Sequence, residues 1–333
     1  MILVTADLHL SVRRRDEYRW DGLRQIAHHL SDCSALVVLG DLCTEKDRHN
    51  AQLVNRVVGW FFDLEVPCYI LKGNHDYIDP DCPFWGILNN LDNVRFLTRQ
   101  ERVDIDGLDC MFIPHTNDFA AAVRQYDEDW GVDSPAALAD TPPDCLFLHQ
   151  TFMGSQTPTG FELVGTNHSL IPKAQFVLSG DVHMPQKVGP VQYVGAPYPT
   201  AFGETFQGSV LKVSVDRTKR CTLTHPAKIT AEIRTVDDLD KIKTSKGDHV
   251  RVKVMMRRSE FSDWPKMRAA VLAWAEERGI ELYSVVMVPH SQTQRVRIQP
   301  TKQASGPRAL FDQFCKVKAC GHDSMAVGRS FVE

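Results

Sequence analysis

The chain has 333 residues, of which 43% are hydrophobic and 24% charged, and its formal net charge is −4. This composition is typical of a soluble globular protein with room for two domains. No apolar run approaches the ~20 residues that a membrane-spanning helix needs, and the first residues lack the basic segment of a signal peptide. Nine cysteines without a Cys-x-x-Cys pair argue against a secreted disulfide scaffold or a zinc ribbon.

The charge is distributed unevenly along the chain. Residues 1–211 hold 15 Lys and Arg against 28 Asp and Glu, whereas residues 212–333 hold 23 against 14. One interpretation is an uneven solvated surface. The other interpretation is that the acidic half binds cations and the basic half binds a polyanion.

Short β-rich runs alternate with helical patterns in the first half of the chain. The spacing of apolar residues predicts helices over about 20–30 and over 51–64, the second with Leu53, Val57 and Phe61 on one face. Strands are predicted at 2–5, 35–39, 67–71, 110–113, 145–148 and 176–178. This order is typical of a layered α/β core with a partly parallel sheet.

The pattern changes after about residue 191. Segments 209–215 and 221–225 look like edge strands that close the first domain, and a boundary is expected near 226–246. Residues 249–289 read as a βαβ unit, in which Asp263 caps the helix and Gly279 ends it. We therefore predict a first domain over 1–230, a small βαβ domain over 231–299 and a helical tail over 300–333.

Polar side chains follow five buried strands, at the point where each strand ends. In open α/β sheets this edge is where ligands bind. The residue types, which are carboxylates, an amide and imidazoles, suit Mn, Fe or Zn better than Ca and leave Mg open. Two such ions can clamp a phosphate for in-line attack, and Asp41 is best placed to bridge them. The residues are Asp7, His9, Asp41, Asn74, His75, Asp76, His149, Asp181 and His183.

In this order the motifs resemble the calcineurin-like metallophosphoesterase superfamily. The resemblance implies a β-sandwich core flanked by helices and two divalent ions, with Mn preferred. It implies that His75 contacts the scissile phosphate and assists the leaving group, and that Asp76 orients its imidazole. The first ion is expected on Asp7, His9, Asp41 and His183. The second is expected on Asp41, Asn74, His149 and Asp181.

One motif departs from the family pattern. Where the family usually has Gly-His-x-His, this chain has Gly180-Asp-Val-His183. Asp181 is a competent metal ligand, and its charge would favour hard ions. The alternative is that Asp181 only forms hydrogen bonds.

Within the superfamily the layout is similar to the SbcD-type DNA-repair nucleases, on the segments 6–10, 71–76 and 193–197. This resemblance implies a DNA exonuclease and endonuclease, with the βαβ unit as a DNA-capping domain and the tail bound to an SbcC-type ATPase. Residues 46–49 are similar to phage-encoded members, so we expect a cytoplasmic protein in a bacterial or phage-infected cell. The alternative is a stand-alone phosphatase or phosphodiesterase acting on a small molecule or a protein.

Two groups of arginines are candidate DNA contacts. Arg13, Arg14 and Arg15 directly follow the first metal motif, and Arg257 and Arg258 lie in the basic half. Such side chains would bind the backbone phosphates of DNA independently of the base sequence. A solvated surface is the alternative for both groups. The sequence leaves the oligomeric state open, a homodimer included.

Overall fold

The computed structural model describes residues 1–129 and 142–289, together with Phe311 and Cys315. Met1–Val254 and Asp263–Met287 form one compact unit, and Met255–Ser262 belongs with Val288 and Pro289 to a second. The domain boundaries after residues 230 and 299 stay predictions. Apart from Phe311 and Cys315, the predicted tail lies outside the described residues.

The described residues form two six-stranded sheets and one three-stranded sheet, together with helices that connect the strands. The strands are β1 (Ile2–Thr5), β2 (Ala35–Val38), β3 (Cys68–Leu71), β4 (Val94–Leu97), β5 (Glu101–Ile105), β6 (Leu108–Ile113), β7 (Cys145–His149), β8 (Phe176–Gly180), β9 (Gln186–Val188), β10 (Val191–Tyr193), β11 (Ser209–Val213), β12 (Thr218–Thr222), β13 (Lys228–Ile233), β14 (His249–Met256) and β15 (Glu281–Pro289). The α-helices are α1 (Glu17–His29), α2 (Ala51–Phe62), α3 (Phe119–Asp129) and α4 (Trp264–Glu277). Short 3-10 segments occur at Arg14–Asp16, Leu30–Asp32, Phe84–Asn90, His168–Leu170, Val236–Lys241 and Arg258–Asp263.

The parallel strands are divided between the two large sheets. The first sheet has the order β12-β11-β1-β2-β3-β4, and the second has the order β5-β6-β7-β8-β10-β9. Strands β1 to β4 run parallel in the first sheet, and β6 to β8 run parallel in the second. Buried side chains of both sheets, such as Val4 and Val37 from one and Phe112 and Phe147 from the other, share one apolar cluster. The predicted β-sandwich core with flanking helices is therefore confirmed.

Helices α1 and α2 cover the other face of the first sheet. Leu53, Val57 and Phe61 recur at every fourth position of α2 and are buried in a cluster with Trp20 of α1. The Asn50 side chain accepts a hydrogen bond from the Leu53 backbone N–H at 2.8 Å, which satisfies a free donor at the start of α2. The apolar spacing thus fixes which face of α2 packs on the sheet.

Two details of the predicted elements differ in the structure. Strand β11 lies inside the first sheet, between β12 and β1, so of the two predicted edge strands only β12 lies at an edge. The Asp263 side chain makes no capping hydrogen bond at the start of α4, although Gly279 follows the helix with a φ of +63° as expected of a helix stop. Among the described residues, no helix has both the length and the apolarity that crossing a membrane requires.

Candidate metal centre

The nine predicted site residues come from the carboxyl ends of five strands. Strands β1, β2 and β3 belong to the first sheet, whereas β7 and β8 belong to the second. The centre is therefore assembled at one end of the sandwich, from both of its layers. Asp7 and His9 follow β1, Asp41 follows β2, Asn74, His75 and Asp76 follow β3, His149 ends β7, and Asp181 and His183 follow β8.

One group of donors surrounds His9. Ligand atoms of Asp7, His9 and His183 all lie within 4.8 Å of one another. The Nε2 atoms of His9 and His183 are 3.0 Å apart, and His9 Nε2 is 3.6 Å from Asp41 Oδ2. These are the four residues that the sequence assigns to the first ion.

A second group surrounds His149. Its Nε2 atom lies 3.4 Å from Asp41 Oδ1, 3.3 Å from Asn74 Oδ1 and 3.8 Å from Asp181 Oδ1. Asp7, Asp41 and His149 also lie within 4.8 Å of one another. One oxygen of Asp41 thus faces His9 and the other faces His149, which is the placement that a bridging carboxylate needs. The assignment of each ligand to one ion stays a prediction.

Four of these residues have an unusual backbone conformation. The φ angles of Asp7, His9, Asp41 and Asp181 are +54°, +43°, +57° and +74°, in the left-handed region that non-glycine residues rarely adopt. Each such residue costs on the order of 1–3 kcal/mol and persists only where its surroundings enforce it. The clustering of four such residues at one end of the sandwich indicates a functional site.

Glycines allow the two layers to approach at the centre. A Cβ atom on Gly73 would overlap the Asp41 carboxylate and lie 2.9 Å from the His149 ring. A Cβ atom on Gly40 would overlap the His149 ring and lie 2.7 Å from Gly73 Cα. The glycines that precede Asp41 and Asn74 are therefore required by close packing.

The donor set fits divalent cations. Asp7 is fully buried, and its Oδ2 atom has no hydrogen-bond partner among the described residues. Burial raises the pKa of Asp7 to about 7. Burial opposes a charge on His149 as well, but Asp41, Asp181 and Asp7 together hold its pKa at about 9. A bound cation would neutralise the negative charge of these crowded carboxylates and would give the buried Asp7 oxygen a partner.

The imidazoles are oriented through their second nitrogen. His149 Nδ1 donates to the Leu39 carbonyl oxygen at 2.5 Å. His183 Nδ1 lies 2.7 Å from Glu204 Oε1, and although burial opposes it, this carboxylate helps raise the pKa of His183 to about 9. A partner of this kind fixes which ring nitrogen faces an ion. Sequence reasoning missed Glu204, although it is the only acidic residue between Asp181 and Asp216.

Asp76 accepts hydrogen bonds from the backbone at two strand ends. Its carboxylate accepts hydrogen bonds from the backbone N–H groups of Asp41, Leu42 and Gly73, at 2.9, 2.9 and 2.7 Å. It makes no described contact with the His75 imidazole, whose Nδ1 instead lies 3.1 Å from the Thr44 carbonyl oxygen. The orienting role of Asp76 stays a prediction. The described hydrogen bonds show that Asp76 fixes the turn that carries Asp41, because three backbone donors converge on it.

Asp181 forms hydrogen bonds with one carboxylate oxygen and faces the second donor group with the other. Its Oδ2 atom accepts from the Thr151 hydroxyl at 2.5 Å, and its Oδ1 atom faces His149. Its backbone N–H donates to Asp7 Oδ1 at 3.1 Å. One carboxylate oxygen is thus held by Thr151, and the other remains directed to the second group of donors.

The candidate DNA contacts divide into paired and unpaired arginines. Arg13 pairs with Glu45 at 3.2 Å on the surface, whereas Arg14 is exposed. Arg15 lies over the ring of Tyr283. In the second unit, Arg258 is the first residue of a 3-10 segment. Arg257 precedes this segment and lies 4.0 Å from Glu260 within it.

The chain is similar to several known proteins. The family model described as calcineurin-like phosphoesterase matches residues 1–185. A putative phosphoesterase (244L) of Invertebrate iridescent virus 6 is 24% identical over 225 residues, which are 63% of this chain and 74% of the viral protein. A solved archaeal phosphodiesterase shares 14% identity at a TM-score of 0.36, covering 67% of this chain and 99% of that protein. A hypothetical protein from Thermus thermophilus shares 13% identity at a TM-score of 0.39, covering 68% of this chain and 99% of that protein.

The family match covers more than half of the chain and all of the residues assembled at the strand ends. The family is one of dinuclear, metal-dependent phosphoester hydrolases, and the described residues supply the carboxylate and imidazole groups that such a centre requires. The chain belongs to the calcineurin-like phosphoesterase family.

Proposed function

We propose that the protein is a two-metal phosphodiester hydrolase that cleaves DNA. The observation that carries the proposal is the convergence of two donor groups on the two oxygens of Asp41. Asp7, His9, Asp41 and His183 would hold one ion, and Asp41, Asn74, His149 and Asp181 the other. When bound, such a pair of ions polarises the phosphoryl group and lowers the pKa of water. Mn is the preferred ion, with Mg, Fe and Zn as alternatives.

His75 is the proposed proton donor to the leaving oxygen. Its Nδ1 faces the Thr44 carbonyl oxygen, which can only accept a hydrogen bond, so Nδ1 carries a proton. Its Nε2 has no hydrogen-bond partner among the described residues. The imidazole is half-buried and packs edge-on against His9 at 5.0 Å, beside the first donor group. A protonated His75 can therefore reach a leaving oxygen at the centre while Thr44 keeps the ring in place.

Three features support DNA over a small molecule as the substrate. The second part of the chain is basic, the motifs resemble those of SbcD-type nucleases, and arginines follow the first metal motif. The viral relative is named as a phosphoesterase, which agrees with the reaction class but not with a particular substrate. The runner-up is a stand-alone phosphodiesterase or phosphatase, because the centre itself recognises only a phosphate.

The test is digestion of linear duplex DNA with Mn present, compared with hydrolysis of an aryl phosphodiester. We expect both activities, and we expect chelation to abolish both. Asp41→Ala should lose both ions in elemental analysis, because Asp41 faces both donor groups. Hydrolysis of the aryl diester without any DNA cleavage would favour the runner-up, and DNA cleavage after exhaustive chelation would contradict the metal-dependent reaction.

We further propose an SbcC-type ATPase as partner, bound by the tail over 300–333. The support is the resemblance together with an apolar stripe at Leu310, Phe311 and Phe314 on a predicted short helix. A chain ending at residue 300 should remain folded and metal-loaded but lose the ATPase in a pull-down. Unchanged ATPase binding would place the interface elsewhere. The βαβ unit as a DNA cap, the homodimer and the cytoplasmic location remain predictions.

A further inference from the structure

Three cations and two aromatic rings meet beside the metal centre, in a group that we call the cation–aromatic cluster. Arg15 lies 4.4 Å above the ring centroid of Tyr283. Arg251 lies 4.6 Å from the centroid of Phe202 and 5.5 Å from that of Tyr283, and Lys228 lies 5.5 Å from Phe202. The two rings contact each other edge-on at 4.8 Å. All five side chains are half-buried.

The cations of the cluster lack acidic partners in the described part of the chain. Other basic residues nearby in sequence are neutralised: Arg13 pairs with Glu45, and Lys253 pairs with Glu232. The three cluster cations instead form no ion pair with a described carboxylate and lie against aromatic faces. Positive charge is thus concentrated where burial strengthens its attraction for an anion.

A guanidinium above an aromatic ring can still donate hydrogen bonds to an anion. An arginine that lies over an aromatic ring uses the face of its planar group, whereas its five N–H donors point outward within the plane. Such stacking also restricts the side chain, so less conformational freedom is lost when a ligand binds. Arg15 and Arg251 are therefore preorganised for an oxyanion with several acceptor oxygens, such as a phosphate.

Thr200 joins the cluster to the metal centre. The Thr200 hydroxyl lies 3.1 Å from His183 Nδ1, and the Thr200 carbonyl oxygen accepts from Lys228 Nζ at 3.0 Å. Burial lowers the pKa of Lys228 to about 8; the cation Arg19 lowers it further, whereas the carboxylates of Asp16 and Glu204 oppose the shift. Through Thr200, an anion at the cluster would lie next to a substrate held at the centre.

We propose that the cation–aromatic cluster binds a backbone phosphate of a nucleic-acid strand, adjacent to the phosphate that is hydrolysed at the metal centre. The inference rests on the proposed function and deepens it, because it assigns a second phosphate subsite that a small diester would not occupy. Phosphate contacts of this kind are independent of base sequence and weaken as salt rises. The cluster would therefore select a polymeric substrate without selecting its sequence.

The test compares two short single-stranded oligodeoxynucleotides that differ only at linkages flanking the cleaved one. One has ordinary phosphates, and the other has neutral methylphosphonates. Binding is measured by fluorescence anisotropy with metal chelated, and cleavage is measured with Mn. We expect the intact protein to bind the charged strand about tenfold more tightly, the size of one charge-assisted hydrogen-bonded contact. Arg15→Gln and Arg251→Gln should each reduce this preference and lower the salt dependence of binding.

Lys253→Gln is the matched control, because it removes one charge from the same strand, β14, two residues from Arg251. It should retain the full preference. Equal preference in Arg251→Gln, Arg15→Gln and the intact protein would overturn the subsite even if DNA is cleaved. A protein that shows the cluster-dependent preference in binding but cleaves neither strand would retain the subsite and refute the nuclease proposal.

Discussion

His75→Ala should abolish most turnover and leave the metal centre intact. The His75 backbone N–H donates to Asp41 Oδ1 at 2.8 Å, and this hydrogen bond survives removal of the side chain. The side chain itself forms a hydrogen bond with the Thr44 carbonyl oxygen and a ring contact with the edge of His9. Loss of a general acid slows a reaction by roughly 10²–10⁴-fold, equivalent to about 3–5 kcal/mol of transition-state stabilisation.

The assay measures kcat and KM on a series of phosphodiesters whose leaving groups differ in pKa. A good leaving group such as a nitrophenolate needs little protonation, so the variant should lose less activity on it than on an alkyl or nucleoside leaving group. KM and the metal content should stay within about twofold, since the role concerns the transition state. His28→Ala, which removes an exposed histidine of α1, is the control.

Two results would refute this reasoning. An equal loss of kcat for all leaving groups would show that His75 does not protonate the leaving oxygen. A large loss of bound metal would show that the imidazole supports the ions, because the surviving backbone contact to Asp41 would then be insufficient.

Substitutions at three further positions test the surroundings of the ions. Glu204→Gln should lower metal affinity roughly 10–100-fold, since it weakens the hydrogen bond that orients the His183 imidazole. The exposed control Glu162→Gln should not lower it. Equal metal affinity of the two variants in titration would show that Glu204 does not support the centre. Gly73→Ala should lower both the melting temperature and metal content through overlap with a ligand, whereas Gly59→Ala, which meets open space inside α2, should stabilise the fold by about 0.5–1 kcal/mol in urea unfolding. Asp181→Asn should weaken the second site and Asp181→His should retain it; if both titrate like the unchanged protein, Asp181 only forms hydrogen bonds.

The sequence located the donors because each follows a buried strand within a few residues. Asp7 and Asp41 come directly after continuous apolar runs, and the carboxyl ends of parallel strands share one edge. The division of those strands between two sheets did not follow from periodicity, since buried strands of either sheet read alike. The β-sandwich was expected only from the family resemblance.

The apolar pattern of the sequence was too weak to predict strand β5. Its sequence, Glu101 to Ile105, is mostly polar because the strand lies at the edge of its sheet and faces solvent in part. The Asp106-Gly107 pair between β5 and β6 adopts positive φ values of +59° and +75°, as a tight hairpin requires. That dipeptide was a usable signal, and it would have predicted the hairpin that apolar alternation could not.

The supporting residues were harder to predict than the ligands, and the backbone conformation explains why they are needed. Four ligand residues in the left-handed region would together cost roughly 4–12 kcal/mol, comparable with the whole stability of a domain. Aspartate tolerates this region better than most residues, which lowers the cost at three of them. The remainder has to be offset by contacts that hold the turns, and these contacts are long-range in sequence: Asp76 accepts from the Asp41 and Leu42 backbone, and Asp181 accepts from Thr151. No local pattern encodes such pairs, because each forms only after two separate strand ends meet. The candidate ligands are consequently held in place by the fold itself, which is the condition for a centre that would bind ions without rearranging.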